Sequence, residues 1–148
     1  MPLRDDAIQL LPALSASERL ALHWALLVGG FPFFGDVATN VGRLLDLQGD
    51  FALAQITRRM HETWGERSTV RRATQRVVRS MVQWGGLDDA PGKGKYVAVT
   101  EKIALRDDVG ELLLAALLLY EGRGLVVQEA TAHPALFPFG VAWSGRSL

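Results

Sequence analysis

Arg72, Arg76 and Arg79 are spaced i, i+4 and i+7, which sets three guanidinium groups in one stripe along a helix. Each guanidinium is a planar fork able to hold a phosphate, or the O6/N7 edge of guanine, at two points. Gln75 beside them can read an adenine edge, Arg71 lies toward one flank, and Ser68 and Thr69 open the same segment. No acidic residue occurs from Val70 to Gln83, so ion pairing within the helix does not account for the stripe. A solvated face and a protein-partner surface are the alternatives. Lys93 and Lys95 sit in Pro91-Gly92-Lys93-Gly94-Lys95, a Gly-rich turn that can approach a phosphate or simply needs soluble residues. Asp88 and Asp89 nearby weaken a basic reading of that loop.

Catalytic chemistry has little to build on. His61 and His133 are isolated, and His23 lies in an apolar helix where a hydrogen-bonded core histidine is expected. Asp88-Asp89 and Asp107-Asp108 are adjacent pairs, and neighbouring side chains on a strand or helix diverge. Without cysteine there is no thiolate nucleophile, disulfide or Cys-based zinc site. The glycines around Lys93 lack the spacing and the following Ser/Thr of a phosphate loop. The expectation is a non-enzyme with no catalytic residues, no metal and no cofactor.

The 148 residues suit one compact unit that buries roughly 70% of its unfolded surface. Formal net charge is zero, but its distribution is uneven. Residues 50–95 hold nine Lys/Arg against five Asp/Glu, whereas residues 1–49 hold three against five and residues 96–148 four against six. The positive charge therefore coincides with the arginine stripe. The acidic start, Arg4-Asp5-Asp6, lacks the basic region of a signal peptide, and no apolar run reads as a membrane span. A cytoplasmic protein without a membrane partner is expected.

These residues need elements to position them. Asp5–Leu14 reads as a short helix ending near Pro12. Ser15-Ala16-Ser17-Glu18 is a capping-box signature for a largely apolar helix, about Ser17 to Val28, stopped by Gly29-Gly30. Pro32 argues against helix before Gly35, and Asp36 is the expected N-cap of Val37–Gln48, with Gly49 closing it. Asp50-Phe51-Ala52 reads as a connector, and Leu53–Trp64 as a helix with Leu53, Ile56, Met60 and Trp64 inward. After the turn at Gly65, Ser68 should cap Thr69–Trp84, with Val70, Ala73, Val77, Met81 and Trp84 on its inner face. Leu87–Thr100 reads as a β-hairpin. Asp107 or Asp108 caps a leucine-rich helix to Glu121, Leu125–Ala132 fits strand or helix, and the Pro-punctuated stretch His133–Trp143 reads as an extended packed tail.

The order helix, helix, tight turn, helix, Gly-rich hairpin across Asp36–Thr100 resembles the winged helix-turn-helix superfamily. Leu53–Met60, the turn at Gly65, Ser68–Ala73 and Trp84–Leu87 leading into Gly92–Tyr96 carry the likeness, over less than half the chain. It implies a mainly α fold: a winged helix-turn-helix core with a small β-hairpin wing, over residues 35–100. Helical additions would occupy residues 1–34 and 101–148. It also implies double-stranded DNA as partner, in transcription regulation or as an accessory of a DNA-acting system. The third helix would enter the major groove through Ser68, Thr69, Arg71, Arg72, Gln75, Arg76 and Arg79, with Lys93 and Lys95 on the wing. Glu66 in the turn departs from the pattern by bringing an acid toward the phosphates. Protein docking through the same fold is the rival. The two oily helices, Ser17–Val28 and Val109–Glu121, need cover, either within the chain or in a homodimer joined through the terminal helices.

Overall fold

The computed structural model describes residues 2–10 and 14–141 and is mainly helical, with a small antiparallel sheet. Helix α1 is Pro2–Leu10 and α2 is Ala16–Gly30. The capping box forms as expected: the Ser15 hydroxyl accepts from Glu18 N–H, and the Glu18 carboxylate accepts from Ser15 N–H at 3.2 Å. The chain breaks after Gly29-Gly30 as expected, but the break is the single residue Phe31 and does not reach Gly35. Helix α3, Pro32–Gln48, starts one residue after α2 ends, with Pro32 in its first turn. A proline there surrenders an N–H that has no helical partner anyway, so it opens the helix instead of delaying it. Asp36 consequently lies inside α3 and is no cap.

Strand β1, Asp50–Ala52, occupies the expected connector and leads directly into α4, Leu53–Trp64. Helix α5 is Ser68–Gln83, followed by β2, Leu87–Asp89, and β3, Lys95–Ala98. The strands form one antiparallel sheet in the order β1-β3-β2, with Phe51 opposite Tyr96 and Asp89 on Tyr96's other side. Strand β4, Ile103–Ala104, precedes α6, Asp107–Glu121; Asp107 and Asp108 stand in the first turn of α6, and Arg106 holds the cap position. The undecided stretch is a short helix, α7, Val127–Thr131.

The tail is ordered by contact. A 3-10 turn, Pro134–Leu136, packs on α3, and β5, Phe139–Gly140, pairs in parallel with β4. Gly42 is where α3 meets that turn, and any Cβ there would collide with the Pro134 carbonyl. Ala142 and Trp143, the end of the expected packed tail, lie outside the described residues.

Trp24 of α2 is fully buried at the meeting point of these parts. Its indole meets Phe34, Phe137 and Phe139 edge-on at 5.1, 5.3 and 5.5 Å, and its N–H donates to the Ala135 carbonyl at 2.8 Å. Helix α6 packs along α2 and beside α1, burying Leu112, Leu113, Leu114 and Leu117 within the chain. Cover for these leucines therefore needs no second copy. His23 corrects the expected core histidine: it is exposed, lying edge-on to Trp84 at 4.7 Å. No single helix is long and apolar enough to cross a membrane among the described residues.

Asp36 joins three helices. Its carboxylate accepts from the Tyr120 hydroxyl of α6 and from the Trp64 indole N–H of α4, the latter at 2.8 Å. Burial, then the hydrogen bond to Asp36, pushes the Tyr120 hydroxyl well above its ordinary value of about 10. The folded chain keeps that proton where the unfolded chain loses it. Its stabilisation is thus complete below about pH 10 and declines as pH rises further. Urea denaturation between about pH 8 and pH 11 should show this alkaline loss, and Tyr120→Phe should flatten it. A variant with the same alkaline slope would show that another group carries it.

Helix α5 buries Val70, Thr74, Val78 and Met81, whereas Ala73 and Val77 are only half-buried. The expected inner face is therefore rotated by roughly 50°, at ~100° per residue. Thr74 is the cause. Its hydroxyl donates to the Val70 carbonyl at 2.9 Å and so satisfies itself within the helix, which lets a polar residue occupy the centre of an apolar face. Val78→Asp should cost several kcal/mol by burying an unpaired charge, and Val77→Asp distinctly less. Chemical denaturation of the two variants side by side checks the rotation, and a larger loss at Val77 would reverse it.

Candidate nucleic-acid interface

The interface is built on α5 and the pieces that fix it. Helix α4 ends at Trp64, whose indole is held by Asp36 and stacks edge-on against Phe33 at 5.2 Å. Gly65, at φ 97°, turns the chain, and the Arg67 guanidinium donates to the Trp64 carbonyl at 3.1 Å. Arg67 takes the N-cap position of α5 without a side-chain cap bond, so Ser68 is the first helical residue and not its cap. At the other end of α4, the Gln55 side chain accepts from Ala52 N–H at 2.8 Å, and the Gly94 carbonyl accepts from Leu53 N–H at 2.8 Å. The second bond ties the hairpin turn to the start of α4. Gly92 and Gly94, at φ 104° and 72°, give that turn its shape.

Every expected contact residue is exposed: Ser68, Thr69, Arg71, Arg72, Gln75, Arg76, Arg79, Lys93 and Lys95. The corrected rotation sets Arg72, Arg76 and Arg79 more squarely opposite the buried face than the sequence pattern did. Among the described residues none of these three forms a salt bridge.

Concave surfaces flank α5. A recess of about 320 Å³ toward the sheet is lined by Arg72, Gln75, Arg76, Arg79 and Tyr96. A cleft of about 580 Å³ toward α4 is lined by Arg71 and Gln75 together with Thr57, Arg58, His61, Glu62 and Glu66. Lys93 and Lys95 line neither. Sequence reasoning missed Arg58 and Tyr96. Arg58 sat among the polar positions of an amphipathic helix, and Tyr96 looked like a strand former; only the packing of α4 and β3 against α5 brings them in. Glu62 and Glu66 make the cleft charge-balanced, in keeping with the departure noted at Glu66.

His61 Nε2 is buried without a hydrogen-bond partner. Such an atom forfeits its hydration, at a cost of about 1–3 kcal/mol. Replacing His61 by Leu removes the atom at similar size and should raise the unfolding free energy by about 1 kcal/mol. A urea midpoint that falls instead would show the imidazole contributing packing that Leu does not reproduce.

Among the described residues no group of three or more His, Cys, Asp or Glu is placed to hold a metal ion. No family model matches the chain, and no curated protein or solved structure matches it.

Proposed function

We propose that the segment from α3 to β3 is a winged helix-turn-helix and that the protein binds double-stranded DNA through α5, as a regulator or an accessory of a DNA-acting system. The observation that carries this reading is the outward face of α5. Three arginines in one stripe stand free of acidic partners, on a helix without a single acidic residue. Solvation alone does not require such a face, since soluble helices intersperse both signs of charge. The element order supports the fold half of the reading: α3, β1, α4, α5, then the β2–β3 hairpin, with β1 completing the small sheet.

On this reading the arginines supply counterion release and two-point contacts to phosphate or guanine, and Gln75 offers the amide that pairs with an adenine edge. On this reading the β2–β3 hairpin is the wing; β2 contacts α5, and the Gly94 carbonyl ties the hairpin turn to α4. Fluorescence anisotropy with a random-sequence duplex across a salt series tests it. Affinity should fall steeply with salt, and Arg72→Ala and Arg76→Ala should each reduce the slope of log affinity against log salt by roughly one. Stability should change by no more than ~0.5 kcal/mol, because both side chains are exposed. A chain that ignores duplex DNA even at low salt would fit the rival, a docking module, and end the DNA reading.

A further inference from the structure

The recess between α5 and β3 holds a neutral donor among its guanidinium groups. Tyr96 is 5% exposed, and its ring stacks on Phe51 at 5.4 Å with 28° between the planes. Its hydroxyl has no hydrogen-bond partner among the described residues. Nor is that hydroxyl sealed away: the unpartnered polar side-chain atom buried from solvent is His61 Nε2. Tyr96 lines the recess together with Arg72, Gln75, Arg76 and Arg79, and its O–H is a neutral donor in that set. Without a partner among the described residues, this hydroxyl is free to donate to water or to an acceptor that displaces that water.

We propose that this recess is a phosphate-binding site in which the Tyr96 hydroxyl donates to a phosphoryl oxygen while Arg72, Arg76 and Arg79 neutralise its charge. The site deepens the DNA reading and rests on it for the source of the phosphate, a backbone phosphodiester; a free phosphate has the same chemistry. About 320 Å³ is the space of roughly ten waters, ample for one tetrahedral anion. Asp89 stands opposite Tyr96 in the ladder but lines no part of the recess. Tyrosine fits this place because it adds a directional donor without a further positive charge. Its position is fixed by the sheet and not by a flexible stem.

Tyr96→Phe tests the site, since it keeps the ring on Phe51 and removes only the hydroxyl. Affinity for a random-sequence duplex should fall roughly ten-fold or more, the loss expected for a hydrogen bond to a charged acceptor. The salt slope should stay unchanged because no charge is removed, in contrast to Arg76→Ala. A second arm adds inorganic phosphate in exchange for chloride at constant ionic strength and follows the melting temperature of both proteins. Equal duplex affinity and equal phosphate response in wild type and variant would overturn the site and leave the DNA reading standing. A phosphate-induced stabilisation that depends on Tyr96, without duplex binding, would uphold the site for free phosphate and end the DNA reading. An affinity loss accompanied by a smaller slope would mean the arginines had moved, and would overturn the hydroxyl as the donor.

Discussion

The buried indole of Trp24 is the constraint on which the other parts depend. An apolar ring at the centre of the core is favourable only if its N–H finds an acceptor, and the acceptor comes from the tail, at Ala135. The same ring touches Phe34 of α3 and Phe137 and Phe139 of the tail, and lies under Gly86 where the chain leaves α5. One side chain from the N-terminal helices thus fixes the tail, α3 and the exit of α5 relative to each other. This is why the terminal segments are part of the core and not appendages to it. Leucine at position 24 would fill some of the space but leave the Ala135 carbonyl without that donor.

The polar groups of Thr74 and Asp36 find their partners without the arginines, which leaves the charge of α5 facing outward. Thr74 bonds within its own helix, and Asp36 takes the hydroxyl of Tyr120 and the indole of Trp64. The arginines are positioned by what lies behind them: Val70, Val78 and Met81 set the rotation of α5, and β1, β3 and the Gly94–Leu53 bond set the sheet beside it. Precision at the surface follows from a rigid interior, although the side chains that form the surface make few contacts themselves.

What was legible in the sequence is local. The Ser15–Glu18 box, helix α4 from Leu53 to Trp64, the glycine after α3 at Gly49 and the β2–β3 hairpin are encoded within a few residues of themselves. The arginine stripe was legible for the same reason, since helical spacing suffices to align it. Two of the misses are long-range. Asp50–Ala52 becomes a strand because β3 lies alongside, and Phe139–Gly140 because β4 does. Pro32 reads as a breaker unless α2 is known to have ended already, at Gly30. Thr74 reads as outward because its type is polar, and only the hydrogen bond to Val70 reveals it as core. Tyr96 carries no signal as a site residue until β3 is placed against α5.

The flanks of α5 differ in charge, and that difference bears on how any polyanion would meet the helix. Toward α4, Arg58 and Arg71 share a cleft with Glu62 and Glu66, so positive and negative charges balance. Toward the sheet, Arg72, Arg76 and Arg79 share the recess with Gln75 and Tyr96 and with no acid. The two surfaces meet at Gln75, which lines both, so the difference in charge is a gradient across one continuous face. The recess on the sheet side has no acid in its lining, although Asp89 stands opposite Tyr96 in the ladder beside it. The zero net charge of the chain conceals this asymmetry, because the acids that cancel the arginines are placed elsewhere in the fold.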